Sequence, residues 1–141
     1  MKVSLIFFGI AFCLVVTGCT EAKGPSKSDL LHRNFEIISM DGKIFSDTMS
    51  RKPNLEFNEG FRISGGICNR FTAQAELKGS VLFARQMAST KMFCPDPELN
   101  TLESTFATML MEGATITLDG NTLTLRQSGH TLVYTLRDRK Q

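Results

Sequence analysis

The C-terminal part of the chain restricts the fold most. From Ala114 to Leu136 apolar and polar residues alternate in three runs: Ala114-Thr115-Ile116-Thr117-Leu118, Thr122-Leu123-Thr124-Leu125 and Thr131-Leu132-Val133-Tyr134-Thr135-Leu136. A period of two sends successive side chains to opposite faces of a strand, so each run has one face to bury and one to leave wet. The separators Asp119-Gly120-Asn121 and Ser128-Gly129 supply residues suited to tight hairpins. Together these predict a three-stranded antiparallel meander whose apolar face needs a partner.

That partner is a helix over about 97–112. Asp96 is a good N-cap, Pro97 suits the first helical position because its missing N–H is not needed there, and Glu98 faces the positive end of the helix dipole. Leu99, Leu102, Phe106, Met109 and Leu110 recur at spacings of three and four, and Gly113 stops the helix. Upstream, Phe35 to Met40 turns at Asp41-Gly42 into Ile44-Phe45, and Leu55-Glu56-Phe57 returns as Phe61-Arg62-Ile63. Thr72 to Leu77 reads as one strand that turns at Lys78-Gly79 into Val81-Leu82-Phe83. One helical turn, capped by Ser28 or Asp29, is expected before the first strand. The sum is an α+β single domain: a curved, mainly antiparallel sheet or partly closed barrel of about eight short strands with one main helix.

The N-terminus carries an address. Lys2 is followed by an uncharged stretch rich in Leu, Ile, Phe and Val that ends at Val16-Thr17-Gly18-Cys19. A positive n-region and an apolar h-region of this length form a secretory signal, too short for a comfortable membrane span. The boundary resembles a bacterial lipobox, so residues 1–18 are expected to be removed and Cys19 to carry the lipid. The resemblance to enterobacterial lipoproteins, with Thr20 where Asp is the usual retention signal, implies sorting to the periplasmic face of the outer membrane. Residues 19–29 follow as the lipidated N-terminus and a flexible tether, since Glu21 to Lys27 is small, polar and broken by Gly24 and Pro25. The folded domain is expected over 30–137, with a polar tail at 138–141.

Lys2 is the sole charged residue of the first 18, so the remaining 123 residues carry 15 basic and 14 acidic side chains, a charge of +1. Membrane attachment would then rest on lipid rather than on charge. Arg137, Arg139 and Lys140 form the one basic concentration and read as a solvated tail, so nucleic acid is not an expected partner. A monomer is expected.

The segments Gly65-Gly66-Ile67-Cys68-Asn69-Arg70-Phe71 and Thr90-Lys91-Met92-Phe93-Cys94 resemble the paired signature of the META domain family: Gly-x-Cys-Asn-x-aromatic, then Thr-x-Met-x-Cys, then a helix. The signature positions are Gly65, Cys68, Asn69, Phe71, Thr90, Met92 and Cys94. The resemblance covers about residues 30 to 137. It implies a non-enzymatic envelope lipoprotein associated with heat and envelope stress and with novobiocin tolerance, similar in fold to the pilotin lipoproteins of secretion systems. Its partner would be an envelope protein or, in the alternative reading, a hydrophobic ligand or acyl chain carried inside the barrel.

Read for their own chemistry, Gly65-Gly66 suggest a bulge, a tight corner or a close strand approach, and Asn69 a loop held by local backbone hydrogen bonds. Cys68 and Cys94 are either a disulfide, as an oxidising periplasm favours, or two thiols packed as small hydrophobes. A redox-active pair is a further reading of the same two residues. His32 and His130 have no visible tie to a cysteine, and the spacings of His and Cys are not those of a zinc site. No catalytic grouping, metal or cofactor is expected. Glu98, Glu103 and Glu112 read as the solvated side of the helix, and Met87, Met92, Met109 and Met111 as core filling.

Overall fold

In the computed structural model the described residues are Gly18 and residues 24–137. The expected signal peptide over residues 1–18, apart from Gly18, the expected lipidation site Cys19 and the expected polar tail 138–141 lie outside them.

Among the described residues eleven strands form one antiparallel sheet. They are β1 (Asn34–Met40), β2 (Lys43–Ile44), β3 (Asn54–Asn58), β4 (Arg62–Gly66), β5 (Arg70–Gln74), β6 (Glu76–Lys78), β7 (Val81–Phe83), β8 (Ala88–Ser89), β9 (Ala114–Asp119), β10 (Thr122–Gln127) and β11 (His130–Leu136). The helices are α1 (Lys27–Leu30) and α2 (Pro97–Glu112). Across the sheet the order is β6-β7-β9-β10-β11-β1-β3-β4-β5-β8, with β2 paired to β1.

This order dictates the shape. β5 and β6 lie toward opposite ends of the sheet, yet a single residue, Ala75, separates them in the chain. Chain continuity therefore brings the two ends together and curls the sheet into a half-barrel. Ala75 is buried at the crossing, and its N–H donates to the Phe61 carbonyl at 3.1 Å. The expected count of about eight strands was too low for this reason: Thr72 to Leu77 is two strands, and Ala88–Ser89 adds an edge strand. Inward positions 71, 73, 75 and 77 keep alternating through the break, so periodicity does not reveal it.

The meander of β9, β10 and β11 follows the alternation, with Leu123 opposite Leu118 and Tyr134. The Asp41-Gly42 turn joins β1 and β2, both residues at positive φ (51° and 82°) as such a hairpin requires. Helix α2 plugs the half-barrel. Asp96 caps it by accepting the Glu98 and Leu99 amides, and Leu102, Phe106, Met109 and Leu110 are buried beneath it. The Phe106 ring lies 4.9 Å from that of Phe71, and the Phe35, Phe57 and Phe61 rings pack in succession at 6.2 and 5.6 Å. Gly113 ends the helix at φ 100°, where a Cβ would stand 2.5 Å from the Phe83 ring.

The segment read as tether is partly packed. Ser26, rather than Ser28 or Asp29, caps α1 in a reciprocal box with Asp29. Leu30 and Pro25 are buried, and Gly24 lies so close to Ser80 that a Cβ would meet the Ser80 Cβ at 2.5 Å. Leu30 is the anchor here: polar, Gly- and Pro-containing neighbours are held down by one apolar residue and one cap. Among the methionines, Met109 is buried and Met87 partly so, whereas Met92 and Met111 are exposed. Core filling thus describes only part of that set.

Candidate functional site

The structure brings the signature residues together at one corner, where β4, β5, β8 and the N-terminal half of α2 meet. Asn69 is its hub and is 91% buried. Its side-chain Oδ1 accepts from the Met92 N–H at 2.7 Å and from the Thr90 hydroxyl at 3.1 Å. Its Nδ2 donates to Glu103 Oε2 at 3.2 Å and to the Met92 carbonyl at 3.4 Å, while its backbone N–H donates to Glu103 Oε1 at 3.0 Å. These bonds run to residues 21 to 34 positions away, so Asn69 joins distant segments, while its carbonyl accepts the Ile67 N–H at 3.0 Å within its own loop. Glu103, read from the sequence as solvated, is half-buried and fixes this latch from the helix.

Thr90 also accepts from the Arg70 N–H at 3.1 Å, and Asn100 donates to the Cys94 carbonyl at 2.8 Å. Cys68 and Cys94 are joined by a disulfide with Cα atoms 5.9 Å apart. Phe71 and Gly65 are cross-strand partners. A Cβ at Gly65 would lie 2.8 Å from the Phe71 ring and 2.1 Å from the Asn54 carbonyl oxygen. Gly65 is thus a place of close approach: β4 pairs regularly through Gly65 and Gly66, and no bulge forms there. Phe71 covers the gap and carries the contact on to Phe106.

The Asn69 and Glu103 polar groups of this corner are spent on one another and on the Thr90–Met92 segment, holding the fold, while Arg70, Thr90, Lys91 and Asn100 are exposed around them. The corner also presents apolar side chains outward: Met92 and Phe93 are 74% and 90% exposed. The histidines are elsewhere. His32 Nε2 is 3.7 Å from Glu59, and His130 Nδ1 is 2.8 Å from Asp41 Oδ2. Asp41 also accepts the Thr131 N–H at 2.7 Å. That backbone bond first, and His130 second, hold the Asp41 carboxyl below the usual carboxylate range. Among the described residues no three His, Cys, Asp or Glu side chains converge as metal ligands would.

A second region emerges on the outward face of β1, β3, β4 and β5. There the solvent-facing alternates, together with the loop over 45–53, line a groove of about 830 Å³. Glu36, Asn54, Gly66 and Arg70 form one cross-strand row in it. Arg137, expected in a free basic tail, instead bonds Glu36 Oε1 at 3.1 Å, and its N–H donates to the Asn34 carbonyl. Lys52 pairs with Asp47 and, through that hydrogen bond, lowers the Asp47 pKa. Sequence reading did not single out this groove, although polar residues at every second position of four strands were its visible trace.

The META domain description matches residues 28–139. The chain is 37% identical over 132 residues to the heat shock protein HslJ of Escherichia coli (strain K12), covering 92% of this chain and 93% of that protein. A structure determined by NMR, 37% identical, superposes with a TM-score of 0.76 over 83% of this chain and 99% of its own. A second NMR structure, from Burkholderia xenovorans, shares the fold at 18% identity, with a TM-score of 0.63 over 85% of this chain and 96% of its own. The signature at the latched corner, the matching family description and nearly full-length similarity agree: the chain belongs to the META domain family.

Proposed function

We propose that this protein is an outer-membrane lipoprotein, anchored to the periplasmic face by lipid on Cys19, whose non-enzymatic META domain supports another envelope component under heat or antibiotic stress, novobiocin included. The observation that carries this reading is the run ending Val16-Thr17-Gly18-Cys19, set shortly before Gly24, which packs against Ser80. Five residue steps separate Cys19 from Gly24, a reach of at most about 18 Å. A lipid on Cys19 would hold the domain against the bilayer surface rather than let it range. The similarity to a heat shock protein supports the stress assignment.

The non-enzymatic part rests on how the reactive side chains are spent. Cys68 and Cys94 are bridged, His130 is bonded to Asp41, and the signature polar groups bond one another. The filled interior favours this reading over carriage of an acyl chain inside the barrel: Phe57, Phe61 and Phe106 are buried within the core, and Phe83 packs at the helix end.

Replacing Cys19 with Ser tests the anchor. The variant is expected to take up no labelled palmitate and to be lost from the outer-membrane fraction, and a variant that matures and stays in that fraction refutes the proposal. For the role in stress, deletion is expected to sensitise cells to heat and novobiocin, and crosslinking in intact cells to capture an envelope protein. An indifferent deletion strain with no captured partner overturns it.

A further inference from the structure

The groove on the outer face of β1, β3, β4 and β5 contains charges that the fold does not use. Arg137 is answered by Glu36 and Lys52 by Asp47. Arg51, Arg70 and Glu56 line the same groove, and their side chains have no hydrogen-bond or ion-pair partner among the described residues. Arg51 and Arg70 present guanidinium forks, which take a carboxylate or phosphate through paired hydrogen bonds. Glu56 sits on β3 in the next cross-strand row, opposite Ser64 and Asn34. An anion alone would meet the two arginines and be repelled by Glu56. A molecule carrying both an anionic group and an ammonium would satisfy all three.

The floor is built to receive something. In the row Glu36, Asn54, Gly66, Arg70 the third position has no side chain, and a Cβ there would find nothing closer than 4.0 Å. Gly66, unlike Gly65, is therefore not required by packing, and no positive φ demands it. Asn54 beside it is fixed: its Nδ2 donates to Asn34 Oδ1 and its Oδ1 accepts the Gly66 N–H, each at 3.0 Å. A rigid polar floor leaves little ordering to be done on binding. The volume of about 830 Å³ lies within the range of small-molecule sites.

We propose that this groove binds a zwitterionic solute of small-molecule size, its anionic group held by Arg51 and Arg70 and its ammonium by Glu56, over the open floor at Gly66. Two sources share that chemistry, amino-sugar phosphates and short peptides. The site does not depend on the lipid anchor, so either reading can fail alone.

The test is calorimetric titration of the full-length chain in detergent with glucosamine 6-phosphate, alanyl-alanine, inorganic phosphate and glucose. Amide and side-chain NMR shifts at Asn54, Gly66 and Arg70 locate any binding. At least one zwitterion is expected to bind saturably and shift those resonances; which one does so identifies the source. Arg70→Gln and Glu56→Gln are each expected to weaken it about tenfold or more. Gly66→Val, which puts a side chain on the floor, is expected to abolish it with an unchanged melting temperature. The proposal is overturned if neither zwitterion binds, if inorganic phosphate binds as tightly as both, or if Arg70→Gln leaves the affinity unchanged. Because the Arg70 side chain makes no hydrogen bond or ion pair within the described residues, that variant remains decisive even if Gly66→Val proves unstable.

Discussion

The meander of β9, β10 and β11 and the stretch from Ile67 to Asp96 lie in one sheet but are held by opposite means. In the meander every strand has six or seven residues, the registers run unbroken, and buried Ile116, Leu123, Leu125, Leu132 and Tyr134 share one face. Cohesion there is spread over many equivalent contacts. Between Ile67 and Asp96 β5 keeps a five-residue ladder with β4, but the other strands shrink to two or three residues, and the segment after β7 is positioned by the Cys68–Cys94 bridge, the Asn69 and Glu103 bonds and the Thr90 hydroxyl. A ladder tolerates the loss of one rung. A stretch pinned by a few unlike groups does not, so single substitutions should act locally and strongly there.

The largest effect expected is that of removing the bridge. Replacing Cys68 and Cys94 with Ser frees a loop whose ends are 26 residues apart, and loop-closure entropy puts the loss at about 3.5 kcal/mol. Hydrogen exchange should reveal where it falls: amides between residues 67 and 96 should lose protection by local opening, while β10 exchanges only through global unfolding. Equal loss of protection in both regions would erase the distinction between them.

The same contrast explains what could be read in advance. Alternation, Asp-Gly turns and the Asp96-Pro97 start of α2 are local, and the elements they mark are where the sequence pattern puts them. The break at Ala75 is not local. It exists because the two ends of the sheet must meet, and no feature of Thr72 to Leu77 records that. Asn69 and Phe71 could be picked out by resemblance, but their partners could not. Glu103 looks like any exposed helical glutamate until the fold brings it to Asn69, 34 residues away. Likewise Glu56 and Arg70 are ordinary outward positions on two strands, and only β4 lying between them makes them walls of one groove.

A smaller effect is expected at the helix side of the latch. Glu103→Ala removes both acceptors that the Asn69 amide and side chain use, leaving donors of a 91%-buried residue short of partners. The cost of such groups is about 1–3 kcal/mol. Thermal unfolding should show that loss, with Glu103→Gln between the variant and the parent, since it retains one acceptor but turns an amide NH₂ toward Asn69. A Glu103→Ala protein as stable as its parent would mean that the bridge alone positions the stretch.

The smallest effect lies at a place where the meander itself relies on a side chain. Asp41, in the β1–β2 turn, accepts the Thr131 N–H at 2.7 Å and pairs with His130 at 2.8 Å, tying that turn to the β10–β11 hairpin. These contacts favour the carboxylate in the folded state and lower its pKa from the ordinary 3.8. The sign follows: the contribution is complete above the unfolded value and is lost as pH falls through the lower folded one. Asp41 is exposed and screened, so the contribution should stay below about 1 kcal/mol. Asn at this position tolerates the positive φ of the turn and keeps one acceptor for Thr131. Asp41→Asn should therefore melt slightly lower than the parent at pH 6, and the two curves should begin to converge only as pH falls below the ordinary 3.8, meeting once it has passed the lower folded value and Asp41 is protonated in both states. Curves that stay parallel down to pH 2 would assign the tie to the backbone turn instead, leaving the meander held by its ladder alone.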